Sequence, residues 1–118
     1  MNVSQLAERY HAVRSAIPPS VKLIAVSKKR TVQEIQALYD LGHRAFGENY
    51  PQELRDKQPQ LPTDIEWHFI GHLQSNKIKY LGACTRLVHG VDSVKLLDAL
   101  ADRAKGEGRI QDVLLQVH

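Results

Sequence analysis

The chain has 118 residues, of which 42% are hydrophobic and 25% are charged, a composition typical of one globular domain. Sixteen Lys and Arg against thirteen Asp and Glu leave a net charge of +3, which suits a phosphorylated small molecule but is too weak for a nucleic-acid-binding surface. No apolar run approaches the roughly 18 residues of a membrane span, and a single cysteine, Cys84, excludes an internal disulfide. We therefore expect a cytoplasmic protein without a membrane or nucleic-acid partner.

The first half of the chain alternates between helix-like and strand-like segments. Apolar residues spaced by three or four positions predict an amphipathic helix over 3–16, which ends before Pro18. The short, β-branched segment VKLIAVS (21–27) predicts a buried strand. A capping box that begins at Thr31 opens a second helix, and HRAFGEN (43–49) is the second predicted strand.

The same alternation continues to the end of the chain. A helix over 51–58 starts with Pro51, and a strand over 65–71 and a short helix capped by Ser75 follow it. A strand over 85–91 comes next, and a final strand covers 111–118. Between these two strands, Asp92 opens a longer helix whose inward-facing residues are Val94, Leu97, Leu100, Ala101 and Ala104. Strands separated by helices imply parallel pairing with right-handed crossovers. Two architectures of the α/β class fit this pattern. One is a complete five-stranded doubly wound domain, which the length favours. The other is five-eighths of a (β/α)8 barrel, which needs about 250 residues when complete.

Both architectures place ligands at the carboxyl ends of the strands, and those ends are polar in this sequence. The first predicted strand ends at Ser27 and Lys28, and the second ends at Asn49. A lysine that is partly desolvated at the end of an apolar strand keeps a reactive neutral amine, which a Schiff base requires. The alternative is a lysine that simply extends into solvent at the rim, and position alone leaves both interpretations open.

A metal site is not expected from the sequence. His68 and His72 are four residues apart, and this spacing places two ligands on one face only in a helix, whereas this stretch is predicted to be a strand followed by a loop. The sequence also lacks a cysteine cluster and the HExxH pattern. No glycine-rich phosphate loop of the GxGxxG or Walker type occurs.

Four sequence blocks carry a resemblance to a known family. They are LIAVSK (23–28), FGENY (46–50), IEWHFIGHLQSNK (65–77) and VHGVDS (88–93). In order and spacing they resemble the YggS/PROSC family of pyridoxal 5'-phosphate (PLP) binding proteins, also called the PLP homeostasis family. That family resembles the N-terminal barrel of alanine racemase. The resemblance implies a (β/α)8 TIM-barrel type fold, with residues 1–118 as the N-terminal part of one PLP-binding barrel domain that holds about five of the eight units.

The resemblance also implies which residues form the site. Lys28, in the AVSK block, would hold PLP as a Schiff base, and Asn49, in the FGEN block, would approach the cofactor ring. Further residues are expected to line the pocket: His68, Gly71, Gln74, Ser75, Asn76 and Lys77. For His68 we also keep the alternative of a packed histidine whose ring nitrogen is satisfied within the core.

The function implied by the resemblance is PLP carriage or homeostasis rather than robust catalysis. The tyrosine that alanine racemase uses for catalysis has no matching motif, so no catalytic residue is assigned. An amino-acid racemase or another PLP enzyme is the first alternative. A receiver-like or flavodoxin-like signalling module is a remote alternative, because such modules need an acidic pocket or a flavin-phosphate loop where this chain has Ser27 and Lys28.

The resemblance predicts that part of the site lies elsewhere. In the family, the last strands of the barrel hold the PLP phosphate, whereas this chain ends on its fifth predicted strand. We therefore expect weak PLP binding by residues 1–118 alone. We also expect self-association or a complementary fragment to cover the open edges of the sheet, because exposed strand edges are prone to aggregate.

Overall fold

The structure is a computed structural model that describes residues 2–117. Parallel strands alternate with helices along this part of the chain. The strands are β1 (Ala25–Val26), β2 (Ala45–Glu48), β3 (Glu66–Phe69), β4 (Thr85–Val91) and β5 (Asp112–Leu115). The α-helices are α1 (Val3–Ala16), α2 (Val32–Asp40), α3 (Pro51–Lys57) and α4 (Val94–Gly106), and short 3-10 helices span Gln58–Gln60 and Ser75–Tyr80.

The order of the strands decides between the two predicted architectures. The five strands form one sheet in the sequential order β1-β2-β3-β4-β5, and every neighbouring pair is parallel. A doubly wound sheet would place the first strand between two others. The sequential order is instead that of a (β/α)8 barrel, so the predicted barrel class is confirmed and residues 2–117 form part of such a barrel.

Local capping signals set the ends of the helices. Helix α2 begins after Thr31, whose hydroxyl accepts a hydrogen bond from the Glu34 amide at 3.1 Å, so the predicted capping box is confirmed. Helix α4 is capped by Ser93 and not by the predicted Asp92, because the Ser93 hydroxyl accepts from the Leu96 amide at 3.1 Å. The predicted Ser75 cap is also wrong, since Ser75 is the first residue of its 3-10 helix.

The hydrophobic core lies between the sheet and the helices. Its largest fully buried apolar side chains are Trp67, Phe46, Phe69, Ile35, Leu54, Val88 and Val91. Helix α4 contributes Leu96, Leu100 and Ala104. Of the residues predicted to face inward on α4, Val94 and Ala101 are exposed, because the helix is rotated so that Leu96 faces the sheet. Within residues 2–117, no helix combines the length and the apolar character needed to cross a membrane.

Four of the five strands are shorter than the sequence predicts, since β2 and β3 have four residues each where seven were predicted. Strand β1 has two residues where seven were predicted, and β5 has four where eight were predicted, the last of which, His118, lies outside the described residues. Each of these strands pairs with one neighbour in the described chain, whereas β2, β3 and β4 pair with two. An edge position does not by itself account for the shortening, because β5 is as long as the central strands β2 and β3.

Candidate functional site at the strand ends

The sheet has two different faces because side chains alternate along each strand. One face packs against the helices, and we call it the helix-facing side; we call the opposite face the inner face. Val26 is in register with Gly47, Gly47 with His68, and His68 with Leu87, so these residues form one row across four strands. In a barrel such rows of side chains stack as layers inside the sheet.

Lys28 directly follows the buried Ser27 at the carboxyl end of β1. Its side chain is exposed, which contradicts the expected partial desolvation, because Lys28 lies in a turn beyond the last strand residue. The next residue, Lys29, has a φ of 58°, in the left-handed region that a residue with a side chain rarely adopts. The carboxyl end of β1 therefore presents a free amine from a turn with an unusual backbone conformation.

Asn49 lies at the carboxyl end of β2 and carries an unused polar atom. The side chain is half-buried, and its amide oxygen Oδ1 is buried without a hydrogen-bond partner in the described part of the chain. A Cβ atom at Gly71 would come within 2.3 Å of the Asn49 backbone oxygen, so only glycine fits there. The close approach of Gly71 packs the end of β3 against Asn49. The Asn49 amide oxygen Oδ1 beside this contact is an unpaired acceptor that a donor of a ligand could satisfy.

A set of buried polar side chains lies on the helix-facing side directly behind Lys28. We call Ser27, Glu48, Glu53 and Lys57 the Glu48 cluster. The Ser27 hydroxyl donates to the Glu48 carboxylate. The Lys57 ammonium donates to the Ser27 carbonyl at 2.7 Å, to Glu48 at 3.0 Å and to Glu53 at 2.7 Å.

Three members of the Glu48 cluster are almost completely shielded from water, and Glu53 is half-buried. Glu48 is 0% exposed and Lys57 is 7% exposed. Burial raises the pKa of the Glu48 carboxyl, while the hydrogen bonds from Ser27 and Lys57 and the positive charge of Lys57 oppose that shift. The second oxygen of Glu48, Oε1, is buried without a partner in the described chain. A buried ion pair of this kind is stable only while both partners are present.

A pair of histidines lies on the inner face. His68 is in the row of Val26 and Gly47, and His89, two residues beyond the His68 partner Leu87, lies one row closer to the carboxyl ends of the strands. His68 Nδ1 lies 3.1 Å from Nε2 of His89, and His68 Nε2 lies 3.8 Å from the Glu66 carboxylate, which also binds Lys22. Burial lowers the pKa of His68, and the neighbouring His89 lowers it further; burial also lowers the pKa of His89. The neutral form of each ring is therefore favoured. A neutral imidazole has one donor and one acceptor nitrogen, so one N–H···N hydrogen bond can join the two rings.

The structure separates His68 from the residues with which the sequence grouped it. His68 is buried against His89, and its Nε2 has no hydrogen-bond partner in the described chain, so it is neither a fully satisfied core histidine nor a neighbour of the Lys28 turn. His72 lies beyond β3 and is exposed. Among residues 2–117, no group of three or more metal-ligating side chains comes together.

The 3-10 helix after β3 carries the remaining predicted pocket residues. Gln74 and Asn76 are exposed, and Ser75 and Lys77 are half-buried. The Lys77 ammonium lies 5.6 Å from the centre of the Tyr80 ring. Within residues 2–117, none of these four side chains forms a hydrogen bond with Lys28 or Asn49. The structure thus brings Lys28, Asn49 and Gly71 to adjacent strand ends. Gln74, Ser75, Asn76 and Lys77 have no direct polar contact with Lys28 or Asn49 in the described chain.

Sequence reasoning did not identify the Glu48 cluster. A signal existed, because Glu48 is a charged residue at the end of a strand that is otherwise apolar, and such a residue needs a buried partner. Its partner Lys57 lies nine positions away in the next helix. Nothing in the local pattern distinguishes Lys57 from an ordinary solvent-exposed helix residue.

The fold places the chain in the parallel-barrel class, and polar side chains lie at the carboxyl ends of its strands. The sequence model of the family described as alanine racemase, N-terminal domain, matches residues 1–118. The chain belongs to that family.

Individual relatives carry names that refer to one cofactor. The chain is 48% identical over 101 residues to a protein of Deinococcus radiodurans and 35% identical over 124 residues to a protein of Escherichia coli, and both are named pyridoxal phosphate homeostasis protein. The matches cover 84% and 99% of this chain and 47% and 53% of those proteins. The chain therefore spans about half the length of the curated relatives it matches.

A solved structure supports the same relationship in three dimensions. PipY from Synechococcus elongatus, described with PLP bound, is 43% identical and superposes with a TM-score of 0.89. The match covers 96% of this chain and 54% of the PipY chain. The resemblance predicted from four sequence blocks is confirmed by these comparisons.

Proposed function

We propose that this chain forms the first part of a PLP-binding barrel of a PLP homeostasis protein, with Lys28 holding the cofactor. The observation that carries this proposal is the similarity to PipY with PLP bound, which extends over 96% of the chain at 43% identity. Lys28 would hold the cofactor through its side-chain amine. PLP, when bound, supplies an aldehyde that reacts reversibly with amines.

The residues at the strand ends fit such a ligand. Lys28 presents an exposed amine, and Asn49 presents a buried amide oxygen that lacks a partner in the described chain. Gly71 keeps the backbone of β3 close to Asn49. In this proposal Lys28 binds the cofactor covalently, Asn49 orients it through the unpaired amide, and Gly71 shapes the wall.

Lys28 can be tested directly by chemical trapping. The protein incubated with PLP should show an absorbance band near the visible edge that borohydride removes. Peptide mapping of the reduced protein should then find the adduct on Lys28. A predominant adduct on Lys22, Lys29 or Lys77 contradicts the assignment, because each of these amines is also present on the chain.

We propose carriage of PLP rather than amino-acid turnover. The two carboxylates of the Glu48 cluster behind Lys28 are already engaged, since both Glu48 and Glu53 accept hydrogen bonds from Lys57. A general base must reach the proton that it removes, and carboxylates held in this way face the helices. Incubation with PLP and L-alanine in deuterated water should give α-proton exchange no faster than free PLP gives. Faster exchange favours the racemase alternative.

We further propose that the main donors to the PLP phosphate lie outside residues 1–118. The chain spans about half the length of its relatives, and its sequence has no glycine-rich phosphate loop. Charge-assisted hydrogen bonds are worth roughly 1.5–3 kcal/mol each, so the loss of two or three weakens binding by about 10² to 10⁶-fold. Residues 1–118 should therefore bind PLP far more weakly than the same residues within a chain of full family length. Equal affinities contradict this division of the site.

The outer strands provide a place where the rest of a barrel, or a second copy, could attach. Leu114 and Leu115 on β5 and Val26 on β1 are exposed apolar residues, and each of these strands has one paired edge in the described chain. Further strands of the same barrel would cover both edges, and we propose this arrangement over a second copy because the relatives are about twice as long. Sedimentation at several concentrations tests the choice, since self-association gives a mass that rises with concentration.

We also infer a cytoplasmic location. The one cysteine, Cys84, is a half-buried free thiol, which suits a reducing compartment. Cell fractionation with a marker enzyme of each compartment checks this inference.

A further inference from the structure

We infer that the Glu48 cluster is a positioning device for the Lys28 amine: it fixes the backbone on both sides of Lys28 from the helix-facing side of the sheet. This inference rests on the proposed function of Lys28. It assigns the members of the cluster as positioning residues, which act on the cofactor through Lys28 and do not contact it.

The cluster holds the residue before Lys28 and the residue after it. On one side, the Lys57 ammonium donates to the Ser27 carbonyl at 2.7 Å, while the Ser27 hydroxyl donates to Glu48. On the other side, the Lys29 amide donates to the Glu53 carboxylate. Lys57 joins the two sides because it also binds Glu53 at 2.7 Å. The exposed Lys28 side chain thus leaves from a backbone that is fixed at both neighbours.

The backbone conformation beside Lys28 indicates why such fixing is needed. Lys29 has a φ of 58°, and a residue with a Cβ pays a free-energy cost in that region. The conformation persists only if neighbouring contacts determine it. Three contacts act on this turn: the Arg30 amide donates to the Ser27 carbonyl at 3.1 Å, Glu53 accepts the Lys29 amide hydrogen, and the Lys29 ammonium lies 5.7 Å from the centre of the Tyr50 ring. Without these contacts the turn would relax and would redirect the preceding Lys28.

The same cluster also fixes the second strand end. Glu48 directly precedes Asn49, and its carbonyl accepts a hydrogen bond from the Ile70 amide at 2.9 Å. The carboxylate of Glu48 is meanwhile held by Ser27 and Lys57. The buried Glu48 carboxylate therefore connects the end of β1, which carries Lys28, to the end of β2, which carries Asn49.

A role in stability alone does not account for this arrangement. A buried ion pair contributes little net stability compared with well-packed apolar side chains, since desolvation offsets the attraction. In some proteins such buried polar groups select one conformation of the surrounding structure. Here the backbone selected is the turn that carries Lys28, which is also where the left-handed residue occurs.

Three variants separate positioning from folding. Lys57→Met alone leaves the Glu48 carboxylate buried and unpaired, so it should destabilise the fold. The double variant Lys57→Met/Glu48→Gln removes both charges while it keeps the shape, so its melting temperature should return close to that of the parent. Glu53→Ala removes the acceptor of the Lys29 amide from a half-buried position. Lys79→Met serves as the matched control, because Lys79 is an exposed lysine outside the cluster.

The measurement is the rate at which PLP reacts with each lysine. Each variant is incubated with excess PLP, reduced with borohydride at successive times and analysed by peptide mapping, with circular dichroism as the test of folding. We expect the folded double variant and Glu53→Ala to label Lys28 about 10- to 100-fold more slowly than the parent, because a small misplacement of a reacting group has effects of this size. We also expect a larger share of adduct on Lys29. The Lys79→Met control should match the parent.

The possible outcomes distinguish the positioning inference from the proposed function. If the folded variants label Lys28 at the parental rate, the positioning inference is wrong while the proposed function stands. If the parent itself forms no Lys28 adduct, the proposed function fails first. If the double variant does not fold, Glu53→Ala decides, since it leaves the Glu48–Lys57 pair intact.

Discussion

The two faces of the same sheet differ in how completely they are filled. On the helix-facing side, Trp67 is 1% exposed and packs in a continuous core with Phe46 and Leu54. On the inner face, Val26 is 54% exposed, and the buried His68 faces the half-buried His89. The helix-facing side supplies most of the apolar burial that stabilises the fold. The inner face and its strand ends keep amines, amides and imidazoles available for a ligand.

The polar groups on the two faces differ in the same way. On the helix-facing side, Lys57 makes hydrogen bonds to three acceptors and fixes the backbone, while one oxygen of Glu48, Oε1, has no partner in the described chain. Near the inner face, a ring nitrogen of His68 and the amide oxygen of Asn49 have no partner in the described chain. This contrast indicates that the helix-facing side fixes the backbone, while the inner face and its strand ends present the groups that can bind a ligand. Three predictions test it, in order of decreasing effect.

Removing a large side chain from the helix-facing side should have the largest effect. Trp67→Ala should lower the free energy of unfolding by about 3–5 kcal/mol, because it leaves a cavity in the core. Leu115→Ala on β5, where the side chain is 65% exposed, should change it by no more than about 0.5 kcal/mol. Chemical denaturation measures both. A comparable loss for Leu115→Ala indicates that β5 is covered in solution, and the comparison then needs revision.

Adding one methyl group where two strand ends meet should have an intermediate effect. A Cβ at Gly71 would lie 2.3 Å from the Asn49 backbone oxygen, so Gly71→Ala should cost about 1–3 kcal/mol of stability through overpacking. Gly106→Ala is the matched control, because a Cβ there meets no atom within 4 Å and alanine favours the helix. Thermal unfolding of both variants checks the difference. Equal stability would mean that β3 can withdraw from Asn49 without cost.

The smallest effect should be a pH dependence that arises on the inner face. Burial lowers the pKa of His68 and of His89 below the ordinary value of 6.5, so the unfolded chain binds more protons than the folded chain at mildly acidic pH. Stability is therefore fully present above about pH 6.5 and falls as the pH is lowered through that value toward the folded-state pKa values. Denaturation between pH 5 and 8 should show this slope.

A variant can assign the slope to the inner face. His89→Gln should flatten the dependence, because it removes one of the two shifted groups and the neighbour that lowers the pKa of His68. His11→Gln, on the exposed surface of α1, should leave the slope unchanged. An unchanged slope in His89→Gln assigns the acid sensitivity to other groups, of which the buried His43 is the first to test.

Local sequence signals predicted local structure well. The bounds of α1 match the predicted 3–16, the Thr31 capping box forms, and Pro51 starts α3. Each of these features depends on residues within one or two helical turns of one another, so the sequence contains the whole cause. The placement of Lys28 and Asn49 at neighbouring strand ends also follows from the alternation of strands and helices.

Contacts between distant segments could not be predicted in this way. Ser27 meets Glu48 across 21 positions, and His68 meets His89 across the same separation, but the sequence pattern of each residue is that of an isolated polar group. The rotation of α4, which buries Leu96 and exposes Val94, depends on the sheet surface that the helix contacts. Side-chain partners of this kind are chosen by packing in three dimensions.

The sequence by itself determined the series of strands and helices, the polar character of the strand ends and, through four blocks of residues, the family. These properties are local, because periodicity, caps and turn residues act over a few positions. Only the tertiary structure decided that Lys57 reaches across to Glu48 and the Ser27 carbonyl, and that Lys28 is exposed from a turn whose next residue is left-handed. The physical reason is that burial, ion pairing and backbone strain depend on which distant segments come to share the same space.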